Sequence, residues 1–132
     1  MLRGVVSDAD RISAAESYVD ALVSHNAEAV PFSPDCIRIE NGLKTGFSGR
    51  HLRRSLDRGP QYRIIDSATD RIFTVDGDHV HAEFTIVTKI RLARRRLVAS
   101  VHETMLIPTS DGQIHHLRVT FKPHLRDDSE LE

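Results

Sequence analysis

Apolar residues recur at helical spacing near the start of the chain and at alternating positions over most of the remainder. The residues of the first pattern are Ile12, Ala15, Val19, Leu22 and Val23. Positions three and four residues apart share one face of a helix, so this pattern is typical of a helix that packs on one side. Ser7 precedes the pattern and can cap the helix. We therefore predict a helix over residues 8–25, with Tyr18 beside its apolar stripe.

Strand-like segments dominate the rest of the chain. A short strand over 35–41 stops at Asn41-Gly42, and a second helix begins after Ser48 and ends at Gly59-Pro60. The four longer segments with alternating apolar residues span 61–75, 79–92, 97–108 and 113–122. Tight turns between neighbouring long strands predict an antiparallel meander. The predicted fold class is α+β, with a curled antiparallel sheet around the first helix.

The length and composition are those of one globular domain. The chain contains 132 residues, of which 39% are hydrophobic and 28% charged, and its formal net charge is −1. We predict a single domain over residues 1–124 and an acidic, disordered tail over 125–132. The chain contains no stretch of 18 apolar residues, so no membrane span is predicted. The single cysteine, Cys36, fits a reducing compartment. These features predict a cytoplasmic protein with no membrane partner.

Two groups of arginines stand out against the near-neutral net charge. One comprises Arg91, Arg94, Arg95 and Arg96 at a predicted hairpin tip, and the other comprises Arg50, Arg53, Arg54 and Arg58 on the second helix. Such groups are usually solvated surface, and an anionic ligand beside the second helix is the alternative. Few aromatic residues lie between these arginines, so the stacking that binds single-stranded nucleic acid is missing. We predict no nucleic-acid partner.

The order of elements resembles the cone-shaped α+β barrel of the nuclear transport factor two-like superfamily. Within that superfamily, residues 17–22 (Ser-Tyr-Val-Asp-Ala-Leu) resemble a segment of the ketosteroid isomerases, which are related to SnoaL-like polyketide cyclases. Residues 117–121 (Leu-Arg-Val-Thr-Phe) resemble the last strand of the same enzymes. The resemblance implies a cavity at one end of the curled sheet, with Tyr18 donating a hydrogen bond to a developing oxyanion.

The two other polar positions of the isomerase site differ in this chain. Asn41 stands near the position of the general base, with Glu40 beside it, and His102 and Glu103 stand near the second oxyanion donor. Neighbours in a strand face opposite sides, so one residue of each pair is expected to face the cavity. Glu40 would be a base there, whereas Asn41 would bind a ligand or only form a turn. His102 or Glu103 would act as acid or base, or lie on the outer face. The catalytic candidates are Tyr18, Glu40, His102 and Glu103.

The remaining site candidates are apolar side chains on one face of two strands. Phe84, Ile86, Val119 and Phe121 are expected to form the walls of the pocket, with Asn41 as a polar ligand contact. By strand parity, His79 and His81 lie opposite the face of Phe84 and Ile86, and His116 lies opposite Phe121. The three or four converging ligands that zinc requires are therefore not expected. We predict no metal and no cofactor.

Limonene epoxide hydrolases belong to the same superfamily and use an Asp-Arg-Asp set at the base of the cavity. Arg118 is a candidate for the arginine of such a set. Strand parity places Arg118 opposite Val119 and Phe121, on the outer face of the sheet. That site is therefore not carried over to this chain.

The function expected from these features is binding of a small hydrophobic oxygenated molecule in an internal pocket. A cyclase- or isomerase-like enzyme that works by acid/base chemistry is one form of this function. The alternative is a non-catalytic dimeric interaction module with a vestigial cavity. The polar and aliphatic residues that alternate on the outer face of the sheet predict a homodimer through that face.

Overall fold

A curled, unclosed sheet packs around one long helix in the computed structural model, which describes residues 5–127 and residue 129. Its elements are α1 (Asp8–Ser24), β1 (Phe32–Glu40), β2 (Leu43–Gly46), α2 (Gly49–Arg58), α3 (Pro60–Arg63), β3 (Ile65–Asp76), β4 (His79–Leu92), β5 (Arg95–Leu106) and β6 (Ile114–Asp127). The six strands lie in the order β2-β1-β6-β5-β4-β3, so β2 and β3 form the edges. This architecture confirms the predicted α+β class.

The first helix forms where the apolar pattern predicts it. The Ser7 hydroxyl accepts a hydrogen bond from the N–H of Asp10 at 3.1 Å and caps the helix. The helix ends where His25 adopts a left-handed conformation, with a φ of 60°. Its apolar face packs against β3 and β4 and buries Tyr18 together with the neighbouring aliphatic residues. The phenol is thereby held between the helix and the sheet.

The four long strands form the predicted antiparallel meander, and one further pairing completes the sheet. Strand β1 runs parallel to β6, so the first strand of the chain lies beside the last. Val119 on β6 is thereby the register partner of Glu40 on one side and of Glu103 on the other. This arrangement brings two carboxyl groups that are far apart in sequence to one region of the concave face.

Three local differences separate the structure from the sequence prediction. Strand β2 was not predicted: Asn41 and Gly42, with φ values of 47° and 84°, form a two-residue hairpin turn between β1 and β2. The predicted strand over 61–75 begins later, because Pro60 opens the short helix α3 and β3 starts only at Ile65. Strand β1 begins at Phe32, ahead of its predicted start.

The end of the chain carries one further correction. Strand β6 continues to Asp127, and Leu125 pairs with Leu97 of β5, so residues 125–127 do not belong to the predicted tail. The rest of that tail, apart from residue 129, lies outside the described residues. Within the described part of the chain, no helix has the length and apolar character needed to cross a membrane.

Candidate functional site

A cavity of about 260 Å³ lies between α1, α3 and the concave face of the sheet. Its deep end is formed by buried residues, among them Tyr18, Val119 and Glu103. Gln61, on α3, and Phe121, 36% exposed, also line it and mark where it reaches the surface. The aliphatic residues of its walls include Leu22, Ile64, Ile65, Ile86, Leu97, Ala99 and Val101. An apolar cavity with a few polar groups at its deep end is the usual form of a small-molecule site.

Glu40 and Glu103 both face this cavity. Each is a register partner of Val119, and residues directly opposite one another across strands share a face of the sheet. Their strands lie two strand spacings apart, roughly 10 Å. Glu40 is partly exposed, whereas the Glu103 side chain is fully enclosed. The two carboxyl groups therefore occupy different environments around one cavity.

Glu103 is a buried carboxyl with one unsatisfied oxygen. The residue is only 2% exposed, and its Oε2 atom has no hydrogen-bond partner among the described residues. Burial raises the pKa of Glu103 to about 8; Arg38 opposes this effect and Glu40 adds to it. Glu103 is therefore mostly protonated at neutral pH, and it can donate a proton in that state and accept one when ionised.

Arg38 lies behind the cavity wall and connects its polar residues. Its Nε is 3.4 Å from Glu40 Oε1 and donates to Thr45 Oγ1 at 3.1 Å. Its Nη2 donates to Ser55 Oγ and to the Thr45 carbonyl, both at 3.3 Å. Its Nη1 donates to the Tyr18 hydroxyl oxygen at 3.4 Å. A fully buried guanidinium is stable only when its donors and its charge are compensated, and this set of partners supplies that compensation.

The environment of Arg38 keeps it charged. Burial alone would lower the pKa of Arg38, but Tyr18, Tyr62 and Glu40 act against burial and hold it above its ordinary value. The guanidinium carbon also lies 5.2 Å from the centre of the Tyr62 ring. Arg38 is thus a permanent positive charge behind the polar end of the cavity.

Gly46 makes room for the Arg38 side chain. A Cβ atom at Gly46 would lie 2.8 Å from Arg38 Cβ and 2.4 Å from Leu52 Cδ2, closer than such atoms approach in proteins. Strand β2 therefore needs glycine where it passes Arg38, and the position of the guanidinium depends on this close approach.

Tyr18 presents a neutral phenol at the deep end of the cavity. Burial raises the pKa of Tyr18 well above its ordinary value, and the nearby Glu103 adds to this effect. Arg38 donates to the phenol oxygen, and the phenol itself donates no hydrogen bond to another described residue. The O–H group can therefore donate to a ligand. The ring is fixed by an edge-on contact with Phe32, with 6.0 Å between ring centres.

The adjacent candidates His102 and Glu103 face opposite sides of the sheet, as strand parity requires. Glu103 faces the cavity, whereas His102 lies on the outer face, where its ring stacks on His81 with 5.6 Å between centres. This placement corrects the expectation that His102 contacts the ligand. Phe84 is buried in the core but does not line the cavity, which corrects its assignment as a wall residue. Ile86, Val119 and Phe121 do line it.

Asn41 belongs to the hairpin turn and not to the cavity. It is exposed; its Oδ1 accepts from the N–H of Phe121 at 3.0 Å, and its Nδ2 donates to the Phe121 carbonyl at 3.4 Å. These bonds fasten the β1–β2 turn to β6. The structure thus follows the turn alternative for Asn41, and Glu40 is the member of that pair that faces the cavity.

Arg38 and Tyr62 are the site residues that the sequence analysis missed. Arg38 precedes Glu40 by two positions, so strand alternation alone places both side chains on one face. Arg118, the arginine considered instead, is exposed. Tyr62 lay inside a predicted strand, and only the turn of α3 brings its ring against the guanidinium.

The described residues contain no group of three His, Cys, Asp or Glu side chains arranged to hold a metal ion. The polar groups that line the cavity are two carboxyls, the phenols of Tyr18 and Tyr62, and the side chains of Gln61 and Thr88, and the Arg38 guanidinium lies behind them. These are groups that move protons and donate hydrogen bonds without a cofactor.

Comparison with known sequences assigns the chain to a family. Residues 5–121 match the family described as "Domain of unknown function (DUF8021)". The chain belongs to this family. The matched DUF8021 region contains α1, α3, Glu40 and Glu103, and therefore the whole polar end of the cavity. No curated protein matches the chain.

Several solved structures share the fold at low sequence identity. An NTF2-like protein of unknown function from Cytophaga hutchinsonii has a TM-score of 0.69 at 9% identity, over 87% of this chain and 98% of that one. An M. tuberculosis LEH-like epoxide hydrolase has a TM-score of 0.67 at 20% identity, over 86% and 84%. A protein from Sinorhizobium meliloti assigned as a polyketide cyclase has a TM-score of 0.61 at 18% identity, over 81% and 93%. The DUF8021 chain thus has the fold of NTF2-like proteins, which confirms the fold that was predicted from its sequence.

Proposed function

We propose that the cavity binds a small hydrophobic oxygenated molecule, such as a cyclic ketone or enone, and moves a proton on it, as an isomerase or cyclase does. The observation that carries this proposal is Glu103, a buried carboxyl with a free oxygen that lines an apolar cavity. Leaving such an oxygen unpaired costs stability unless a ligand uses it. Two proteins with this fold have names that indicate epoxide and polyketide substrates, which agrees with an oxygenated ligand.

The proposed step assigns a role to each polar group. Ionised Glu103 removes a proton from the carbon next to the ligand carbonyl. The electron pair of that C–H bond forms a carbon–carbon double bond, and the π pair of the carbonyl moves to its oxygen. Tyr18 donates its O–H to the resulting oxyanion. Protonated Glu103 then returns the proton to another carbon, which completes an isomerisation. Arg38 does not line the cavity; it acts as a positioning residue, because its hydrogen bond to Tyr18 strengthens the phenol as a donor.

Glu40 supports this division of roles. It forms an ion pair with Arg38 at 3.4 Å and is the more exposed of the two carboxyls. With the guanidinium compensated by Glu40, Glu103 can take up its proton without leaving a buried charge unpaired. Two carboxyls in contrasting environments are the usual basis for separate acid/base and electrostatic roles.

The cavity favours this function over the non-catalytic dimeric module with a vestigial cavity. In the module, side chains of the protein would be expected to fill the space between α1 and the sheet. The cavity instead has a volume of about 260 Å³, close to the lower end of the ~300–1,000 Å³ of ligand pockets.

Thermal stabilisation by ligands tests the proposal. Wild type is heated with a panel of cyclic ketones and enones and with the hydrocarbons of matching shape. A carbonyl ligand is expected to raise the unfolding temperature more than its hydrocarbon, and Tyr18→Phe should remove that difference. Glu83→Gln, which changes an exposed carboxyl on the outer face, serves as a control and should keep that difference. Equal shifts for ketone and hydrocarbon in wild type would reject the polar role of the site.

The proposed assembly is a homodimer through the outer face of the sheet. Glu83, His102 and Thr120 form one cross-strand row on this face, and His81 stacks beside them. Light scattering at tens of micromolar protein tests the assembly, since a monomer at that concentration would exclude it. The buried thiol of Cys36 supports the proposed cytoplasmic location.

A further inference from the structure

The chain contains two tyrosines, and both line the same cavity, although they belong to different elements. Tyr18 lies on α1 and Tyr62 on α3. Tyr62 is only 6% exposed, and its hydroxyl oxygen has no hydrogen-bond partner among the described residues. A buried phenol usually has such a partner, so the unused hydroxyl of Tyr62 points to a ligand that supplies one.

The ring of Tyr62 is held firmly by its surroundings. One face of the ring packs against the Arg38 guanidinium, as described above. The N–H of Tyr62 donates to the Gly59 carbonyl at 3.1 Å and closes the turn of α3. A Cβ atom at Gly59 would lie 3.1 Å from Tyr62 Cδ2, so the absence of a side chain there lets the ring pack closely. A ring fixed in this way suits a preorganised hydrogen-bond donor.

Tyr62 is a neutral phenol that lies near the other polar groups of the site. Burial raises the pKa of Tyr62 above its ordinary value; Arg38 and Ser55 oppose this effect, and the two carboxyls of the site add to it. The pKa of Tyr18 is likewise raised by burial, with contributions from Glu103 and Tyr62. Each phenol therefore feels the charge of Glu103, which places both of them near the group that is proposed to move the proton.

The oxyanion of the proposed step can accept a second hydrogen bond. A carbonyl oxygen has two lone pairs, and Tyr18 uses one of them. Glu103 acts on carbon in that step and does not serve the oxygen. The Thr88 hydroxyl already donates to the Leu97 carbonyl at 2.7 Å, and Gln61 is exposed where the cavity reaches the surface. Of the side chains described here as lining the cavity, this leaves the buried hydroxyl of the second tyrosine.

We propose that Tyr62 is a second catalytic donor, which binds the ligand oxygen together with Tyr18, so that two phenols stabilise the oxyanion. This inference rests on the proposed function, because both phenols act on the same ligand oxygen. Each phenol keeps its proton throughout and only donates a hydrogen bond, while Glu103 carries the proton from one carbon to the other. Arg38 donates to one phenol and contacts the ring of the other, and its positive charge strengthens both as donors.

Carbon NMR of the wild-type protein tests the inference without any substitution in the complex that is measured. Labelling with ¹³C at the tyrosine Cζ atom gives one signal for each phenol, and a spectrum of Tyr18→Phe assigns them. The probes are 2-naphthol, which has the shape of the enol of 2-tetralone, and naphthalene, which lacks the oxygen. Both signals are expected to differ between the two complexes. A difference at Tyr18 alone would overturn the second donor, including the case in which Tyr62 bonds Ser55.

Hydrogen exchange of 2-tetralone in D₂O measures the contribution of Tyr62 to the reaction. Tyr62→Phe keeps the ring against Arg38 and deletes only the hydroxyl. It is expected to lower kcat for exchange by roughly 10²–10³-fold, the usual effect of removing one oxyanion donor. It should also weaken the binding of 2-naphthol at least tenfold and leave the affinity for naphthalene unchanged.

Ser33→Ala is the matched control. Ser33 is also buried, and its hydroxyl also lacks a hydrogen-bond partner among the described residues, but it does not line the cavity. The exchange rate and the affinities for both probes should therefore equal those of wild type. Circular dichroism confirms that each variant is folded.

The possible outcomes separate this inference from the proposed function. Exchange by Tyr62→Phe at the wild-type rate, with Tyr18→Phe and Glu103→Gln impaired, would overturn the second donor and leave the proposed function standing. An equal loss of affinity for naphthalene and 2-naphthol would assign Tyr62 to packing and also overturn the inference. No exchange in wild type, together with binding of neither probe, would overturn both proposals.

Discussion

Replacing Glu103 with glutamine should make the protein more stable at high pH and leave its stability almost unchanged at low pH. The shape and volume of the side chain are kept, and only the ability to ionise is lost. The pKa of Glu103 is raised from its ordinary value of 4.5 to about 8, chiefly by burial. The folded state therefore holds this proton between these pH values, whereas the unfolded state releases it. Stability from this group is fully present below pH 4.5 and declines as the pH rises to about 8.

The size of the effect follows from the same pKa values. Each tenfold change in proton affinity is worth about 1.4 kcal/mol, so a shift from 4.5 to about 8 corresponds to about 5 kcal/mol. Urea unfolding followed by circular dichroism at pH 5, 7 and 9 measures this directly. The free-energy difference between Glu103→Gln and wild type should grow by several kcal/mol from pH 5 to pH 9. Glu16→Gln, on the exposed side of α1, should show no such trend. An equal difference at pH 5 and pH 9 would refute the assignment of a raised pKa to Glu103.

Two further positions, Gly46 and Asn41, test the packing and the hydrogen bonds that support the site. Gly46→Ala should cost about 1–3 kcal/mol of unfolding free energy, because the added Cβ overlaps with Leu52 and Arg38; an unchanged denaturation midpoint would contradict this packing. Asn41→Ala should lower the free energy of unfolding by about 1–2 kcal/mol, because it removes two hydrogen bonds to Phe121 and places alanine at a positive φ. Asn41→Gly should remove the same hydrogen bonds but tolerate the positive φ. If the glycine variant matched wild type in chemical denaturation, the bonds to Phe121 would have no net value.

The periodicity of the sequence was sufficient to predict most of the fold. The stripe around Val19 and the alternation of the long strands correspond to α1 and β4–β6, because each pattern records which face is buried. The elements that were missed are short. Strand β2 has only four residues, and α3 begins at Pro60, which was predicted to end the preceding helix. Such segments carry too few residues to show a period.

The site could be predicted only in part, because it depends on a long-range pairing. Strand alternation leaves open whether His102 or Glu103 faces inward, and the same holds for Glu40 and Asn41. The antiparallel register of β5 and β6 decides the first question, and the parallel contact between β1 and β6 decides the second. Together they place Glu103 and Glu40 on either side of Val119. No local sequence pattern predicts a pairing between the first and last strands.

The burial of Arg38 could not be predicted from the sequence for a different reason. An arginine between apolar strand residues is most often exposed, and its burial here depends on Tyr18, Ser55 and Glu40, which come from three separate elements. Gly46 is the local signal for this burial, but its meaning becomes clear only once β2 is known to pass over the Arg38 side chain.

Exchange of carbon-bound hydrogen in D₂O tests the central claim, proton transfer by Glu103 in the cavity, most directly. A ketone that stabilises the protein in the thermal screen is incubated with the protein, and NMR follows the loss of hydrogen at the carbon next to the carbonyl. Wild type should accelerate this exchange, and the rate should rise as the pH passes through about 8, since Glu103 must be ionised to act as a base. Glu103→Gln should abolish the acceleration while still binding the ketone. Binding by wild type with an exchange rate equal to that of the free ketone would contradict the account.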